Sequence, residues 1–289
     1  MKKLALFLAL VMVIGCFVFA GCNKPEDPKD DPKDPVVNPD DPTKPDNPTD
    51  PTDPVEPTDD PAVKSEGVMT YAEFVAAEID STVTIETYVQ GSQDWWDNEG
   101  VGMATFYTQD TEGAYFIYNM PCSEEDFNAM VPGTKLLVTG TKSEWGGEVE
   151  ITDATYEIKS GSYIAEAVDV TALLGSDELI NSQNKKVSFK GMTVAASTDA
   201  DGNEAAWLYR SNGAGSEGDD LYFNVSINDT TYTFTVESYL CGPDTDVYKA
   251  VKELKIGDVI DLEGFLYWYN GINPHITAVS YVEEVPFVD

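Results

Sequence analysis

Two stretches decide the fold: Pro132-Gly133-Thr134-Lys135-Leu136-Leu137-Val138-Thr139-Gly140-Thr141 and Lys255-Ile256-Gly257-Asp258-Val259-Ile260-Asp261-Leu262-Glu263-Gly264. Each sets one glycine just before an alternating apolar run and another inside it. Alternation with period two reads as a strand with one buried face. Glycine within a strand marks a sharp bend or a close approach of backbone. Working outward, the same neighbours surround both stretches. Ahead of the first lie a short helical signal at 71–75, an alternating run at 83–91, strands at 103–108 and 114–118, and a helical stretch at 123–130; a closing strand follows at 149–155. Around the second lie a short helix at 173–179, runs at 186–194, 221–227 and 232–236, a helix at about 246–254, and a closing strand at 271–279.

This order, β-β-β-α-β-β, met twice, resembles the OB-fold, the small five-stranded Greek-key barrel. The resemblance implies a mainly β protein of two tandem five-stranded barrels, each with one or two short helices. The expected domains are 67–160 and 161–289. It also implies ligand binding at the rim made by the loops that join strands one to two and four to five. A tandem β-sandwich is the alternative reading of the same runs.

The start of the chain has a different character. Lys2 and Lys3 precede an apolar run from Leu4 to Phe19, then Ala20-Gly21-Cys22. A basic start, a short apolar core and small residues before a break make a secretory signal peptide. The run Phe19-Ala20-Gly21-Cys22 resembles the lipobox of bacterial lipoproteins, with Phe19 where leucine is usual. That resemblance implies a signal over 1–21 and a lipid-bearing Cys22 that anchors an exported protein to a bacterial membrane. Val13-Ile14-Gly15-Cys16 is the other candidate, but cleavage there leaves a short apolar region of about eleven residues. Residues 22–66 are rich in proline and aspartate and lack aromatics, a composition that cannot form a core and reads as a disordered, extended tether. The formal net charge is −35, and residues 67–289 carry 38 acidic against 10 basic side chains. Such a field opposes nonspecific binding to phosphates, so nucleic acid is the partner that charge disfavours.

All five tryptophans fall in the expected rim loops or at their margins: Trp95, Trp96 and Trp145 in the first copy, Trp207 and Trp268 in the second, with Tyr267 and Tyr269 beside the last. Flat rings at a barrel mouth stack on sugar faces or bases, and with polyanions disfavoured the ligands left are glycans, peptides or cationic ligands, a glycan foremost. The same rings can also cap a barrel end. Asp199, Asp201 and Asn203 form a short run of alternating oxygens that suggests a weak calcium site, although Asp201-Gly202 also suits a plain tight turn. No other cofactor is indicated. Cys122 and Cys241 hold related positions in the two copies, and equivalent sites in tandem domains are usually too far apart to pair; two free thiols are expected. His275 is the single histidine, expected at the rim or partly buried, and no nucleophile motif flanks it. Glu148 and Glu150 alternate on a strand and read as a solvated acidic face. The expectation is a non-catalytic binding module at the cell surface, with a protein-docking or spacer role and a carboxylate- or calcium-dependent hydrolase as alternatives. Oligomeric state is left open.

Overall fold

The computed structural model describes residues 60–282. The expected signal peptide, Cys22 and most of the tether lie outside the described residues. Residues 60–282 lie in one compact unit, within which two sheets each close on themselves.

In the first sheet, strand one (Thr82–Ser92) pairs antiparallel with strand two (Val101–Gln109) on one side and strand four (Thr134–Trp145) on the other. Strand two continues to strand three (Ala114–Pro121), which runs parallel to strand five (Glu148–Ser162), and five pairs back to four. The circuit 1-2-3-5-4-1 is the OB topology, barrel one here. The second sheet repeats it with Lys186–Ala195, Leu221–Ile227, Thr230–Val236, Val259–Phe265 and His275–Tyr281, again with three parallel to five. This is barrel two. Closed five-stranded barrels replace the sandwich alternative, because strand one of each sheet pairs on both its edges.

The glycines work as the sequence pattern suggests. Gly133 and Gly257 have φ near +96° and +97°, each in a turn closed by an i to i+3 bond, Thr134 N–H to Val131 O and Asp258 N–H to Lys255 O, both 3.0 Å. A left-handed third position is where a turn of this kind takes glycine. Gly140 and Gly264 sit where the ladder to strand five slips register. A β-carbon at Gly264 would stand 2.2 Å from His275 O, and one at Gly140 would stand 2.6 Å from Ile151 Cγ2. Close backbone approach at a bulge is therefore what each glycine permits.

Each barrel buries its own core. Barrel one packs Ile85, Phe106, Ile117, Leu136 and Ile151, and barrel two packs Phe189, Phe223, Phe234, Leu262 and Ile276. A helix follows strand three in each: α2 (Glu124–Ala129), capped by Ser123, and, in barrel two, α3 (Asp246–Glu253), capped by Thr245. Helix α1 (Tyr71–Ala76) opens with a capping box between Thr70 and Glu73; its last carbonyls, with that of Ala77, take three bonds from Lys142 Nζ. In barrel two, two 3₁₀ turns at Thr171–Leu173 and Asp177–Ser182 replace the single helix expected at 173–179. Within the residues expected to be tether, Lys64 pairs with buried Asp110 and Ser65 bonds Glu86, so both dock on barrel one.

The barrels meet along a tight junction. Tyr107 stacks on Phe265 at 4.5 Å between ring centres and its hydroxyl lies 2.6 Å from His275 Nδ1. Phe116 meets Tyr267 edge-on. Around this apolar centre, Gln183 Nε2 donates to Gly147 O, Asn184 Nδ2 to Val149 O and Asn270 N–H to Gly146 O. Most polar groups that cross the junction are thus paired where water is excluded; Glu148 Oε1 and Asn184 Oδ1 are the exceptions there.

Two readings are corrected here. Glu148 and Glu150 do not form a solvated face: they are 0% and 8% exposed, because barrel two covers that part of strand five. His275 is buried rather than on the rim, and desolvation pushes its imidazole down to about 3. Cys122 and Cys241 are free and buried, and burial pushes their thiols up to about 11 and about 12.

Candidate nucleic-acid interface

The loop after strand one of barrel one begins Gln93-Asp94-Trp95-Trp96. Residues Trp96–Asn98 form a hairpin with the start of strand two, turning at Glu99 and Gly100, both at positive φ. The pleat sends successive side chains to opposite faces. Trp95 turns inward: its indole packs on the core and Nε1 donates to Cys122 O at 3.1 Å. It lies so close over Gly102 that a β-carbon there would be 2.3 Å from the ring. Trp96 turns outward and is 42% exposed.

Outside, Trp96 shares a cleft with two rings from other elements. Tyr118 comes from strand three and Tyr239 from the turn after strand three of barrel two; they are 44% and 66% exposed. With Gln93, Asp94 and Asn119 they line a cleft of about 480 Å³. The cleft spans both barrels, and Asp94 N–H donates to Tyr239 O at 2.9 Å across them. Behind it, the buried Glu237 carboxylate accepts from Tyr239 N–H, Leu240 N–H and Gln93 Nε2. Burial pushes this carboxyl up to about 7, with the N–H bonds opposing the rise. Three accessible rings with two carboxamides and a carboxylate at their margins provide stacking faces and hydrogen-bonding edges together.

The remaining expected site residues do not join this cleft. Trp145 is 65% exposed at the hairpin between strands four and five. Trp207 is half-buried on the barrel-two core and donates Nε1–H to Lys252 O. Tyr267 stacks on His275 and Trp268 presses against Gly147 of barrel one, so these two are spent on the junction, while Tyr269 lies beside Gly146 and stays 48% exposed. Asp199 Oδ1 accepts from Asp201 N–H and Asn203 N–H, and Oδ2 from Asn203 Nδ2. That is a turn closed on itself, and among the described residues no group of three His, Cys, Asp or Glu is placed to hold a metal.

Sequence reasoning missed Tyr118, Asn119, Gln93 and Tyr239. For Tyr118-Asn119 a local signal exists, a tyrosine near the end of a core strand followed by a residue suited to positive φ; Asn119 has φ 45°. Tyr239 carries no such signal, since only the docking of the barrels brings it over.

Glu148 is the other group that sequence reasoning misjudged. Oε2 accepts from Trp268 N–H at 2.9 Å and Gln183 Nε2 at 3.3 Å. Oε1, and Asn184 Oδ1 nearby in sequence to Gln183, are buried without a hydrogen-bond partner. Burial pushes the Glu148 carboxyl up to about 8. Sealed in the junction, Glu148 and Glu150 do not present a carboxylate pair to a substrate.

No protein-family model matches the chain, and no curated protein does. Among solved structures it is similar to a murine DNA-binding protein bound with double-stranded DNA, at 12% identity and TM-score 0.32, covering 71% of this chain and 99% of that one. It is similar also to the Ifi202 HINa domain in complex with 20-bp double-stranded DNA (11%, TM-score 0.30, 69% and 98%). A third is a deletion mutant of the single-stranded DNA-binding protein from Thermus aquaticus (12%, TM-score 0.22, 72% and 97%). Each of the three is described as a DNA-binding protein or a DNA complex. The expectation of a glycan or surface-protein ligand, with nucleic acid disfavoured, is corrected on that finding. Dispersal of the tryptophans also removes the ring cluster on which the glycan expectation rested.

Proposed function

We propose that this chain is a non-catalytic binding module whose cleft takes unpaired bases of single-stranded nucleic acid. The observation that carries the reading is the convergence of Trp96, Tyr118 and Tyr239 with Gln93 and Asn119 in one open cleft. It lies at the loop between strands one and two and on strand three, where barrels of this fold bind oligonucleotides. Stacking supplies affinity to any base, and the carboxamides can meet base edges. No lysine or arginine lines this cleft, so binding is driven by bases, not by counterion release. In this reading the two barrels are two domains, 67–160 and 161–289, and the chain is exported and held to a membrane through Cys22 and the 22–66 tether.

The test is a titration of the full-length chain with a fluorescein-labelled oligothymidylate. Trp96→Ala is expected to weaken binding by about 1–3 kcal/mol, the worth of one stacked base. Raising salt from low to physiological strength is expected to leave affinity unchanged or to improve it, since screening relieves repulsion from the acidic surface. A steep loss with salt, or a Trp96→Ala variant that binds as well as the parent, would overturn the reading.

A further inference from the structure

Barrel two has a bowl at the place corresponding to the cleft of barrel one. It lies between its strands one and two and at the margin of strands two and three, is about 370 Å³, and is lined by Arg210, Ser211, Asp219, Asp220, Tyr222 and Ser238. Tyr239 lines this bowl as well as the cleft. Its residue stands between the two cavities at the end of a turn tied to both sides: Asp220 Oδ1 accepts from Ser238 N–H and Oγ–H, while Tyr239 O accepts from Asp94 N–H. The two cavities therefore adjoin at Tyr239.

Resting on the base-binding reading above, we infer that the ligand is a strand that passes over Tyr239 from one cavity to the other, with bases in the aromatic cleft and a sugar-phosphate link in the polar bowl. The chemistry of the second bowl differs from the first in the required way. Arg210 is the one arginine of the chain, and its side chain is 62% exposed. One guanidinium nitrogen donates to Asp219 Oδ1 at 2.7 Å; a guanidinium has five N–H donors, so donors remain for an anionic oxygen. Ser211 and Tyr222 add hydroxyls. Arg210 is held at φ 56°, a left-handed backbone uncommon for a residue of this size, which is the kind of local strain that clusters at binding sites. The flanking Asp219 and Asp220 set the charge the bowl accepts. Two carboxylates beside one guanidinium oppose a dianion more than a monoanion, so the bowl selects an internal phosphodiester, with one negative charge, over a terminal phosphate.

The experiment compares thymidine, thymidine 5′-monophosphate, the dinucleotide TpT and an eight-residue oligothymidylate on the full-length chain, reading tryptophan fluorescence. TpT and the octamer are expected to bind at least about tenfold more tightly than thymidine, with the monophosphate no tighter than thymidine. Arg210→Asn, chosen because asparagine tolerates the left-handed backbone, is expected to remove most of the gain for TpT and the octamer and to leave thymidine unchanged. Arg210→Lys serves as a second variant that keeps the charge and is expected to retain part of the gain. Equal affinity for thymidine and the octamer, or a loss in Arg210→Asn that is the same for both, would overturn the path over Tyr239 while leaving the base cleft standing. Failure of every ligand to perturb the parent protein would overturn the base-binding reading and this inference with it.

Discussion

Barrels one and two run the same circuit of strands, yet the segment between strands one and two is a short hairpin in the first and the long 196–220 insertion in the second. In barrel one the hairpin at Trp96–Asn98 turns one tryptophan into the core and the next out to solvent. In barrel two the insertion makes two small ladders, at Ser197–Thr198 with Glu204–Ala205 and at Leu208–Tyr209. It folds Trp207 down on the core and leaves Arg210 at the surface. One scaffold thus presents rings on one side and a polar bowl on the other. The strands supply the platform and the loops supply the chemistry. The matched glycines of strand four, by contrast, are part of the platform, and their roles are the same in both copies.

The largest expected effect tests that last point. Gly264→Ala should cost about 4 kcal/mol or prevent folding, because the three atoms nearest the added carbon all belong to the backbone of His275 and Ile276. Gly140→Ala should cost less, since its nearest obstacle is the Ile151 methyl group and its nearest backbone atom, Thr152 O, stands at 2.8 Å against 2.2 Å for His275 O at Gly264. Urea denaturation of both variants measures the difference, and equal costs would break the proposed ranking.

The next effect concerns the bond between the barrels. Phe265→Ala removes the ring stacked on Tyr107 and is expected to cost about 3 kcal/mol. If the junction is what makes the barrels unfold as one, calorimetry should show a single transition in the parent chain and two in the variant. A variant that still melts in one step would show that the polar contacts around the ring stack hold the unit together without it.

The smallest effect separates the two buried acids at the junction. Glu237, from barrel two, accepts three N–H bonds; Glu148, from barrel one, accepts two and has one bare oxygen. Both carboxyls are raised, Glu148 to about 8 and Glu237 to about 7. In the unfolded chain a glutamate ionises near its ordinary value, about 4.3, while the folded chain keeps Glu148 protonated until about 8. Its contribution to stability therefore worsens as pH rises between those values and levels off above about 8. Glu148→Gln, which is neutral at every pH and carries an amide donor, should be more stable than the parent by on the order of 2 kcal/mol at pH 7. The advantage should vanish near pH 4, as read from urea denaturation at both pH values. A variant less stable at pH 7 than at pH 4, relative to the parent, would reverse the assignment.

Much of the barrel was legible because its signals are local. The alternation in strands one and four, the glycine turns at Gly133 and Gly257, and the helical stretches at 123–130 and about 246–254 each follow from a few adjacent residues. The same local reading took Glu148 and Glu150 for a solvated face and His275 for a rim or partly buried residue. Alternation says which side of a strand a residue faces, but not whether a second barrel covers that side. Trp95 and Trp96 read alike in the sequence; the hairpin register separates them. Trp268 and Tyr269 read alike as open rim residues; Trp268 is instead pressed against Gly147, while Tyr269 keeps an exposed face beside Gly146.

The sequence by itself determined the strand order, the places where the backbone must bend, and the acidic charge that any ligand must meet. The tertiary structure decided which aromatic rings stay open, which acids are sealed from water and which residues face one another across the barrels. The reason is physical. Strand propensity and turn geometry are set by neighbours a few residues away, whereas Tyr239 comes to Trp96 and Tyr118 only when two closed barrels dock. Docking depends on burying Tyr107, Phe116 and Phe265 together, and no local pattern announces that rings so far apart in the chain will share one apolar centre.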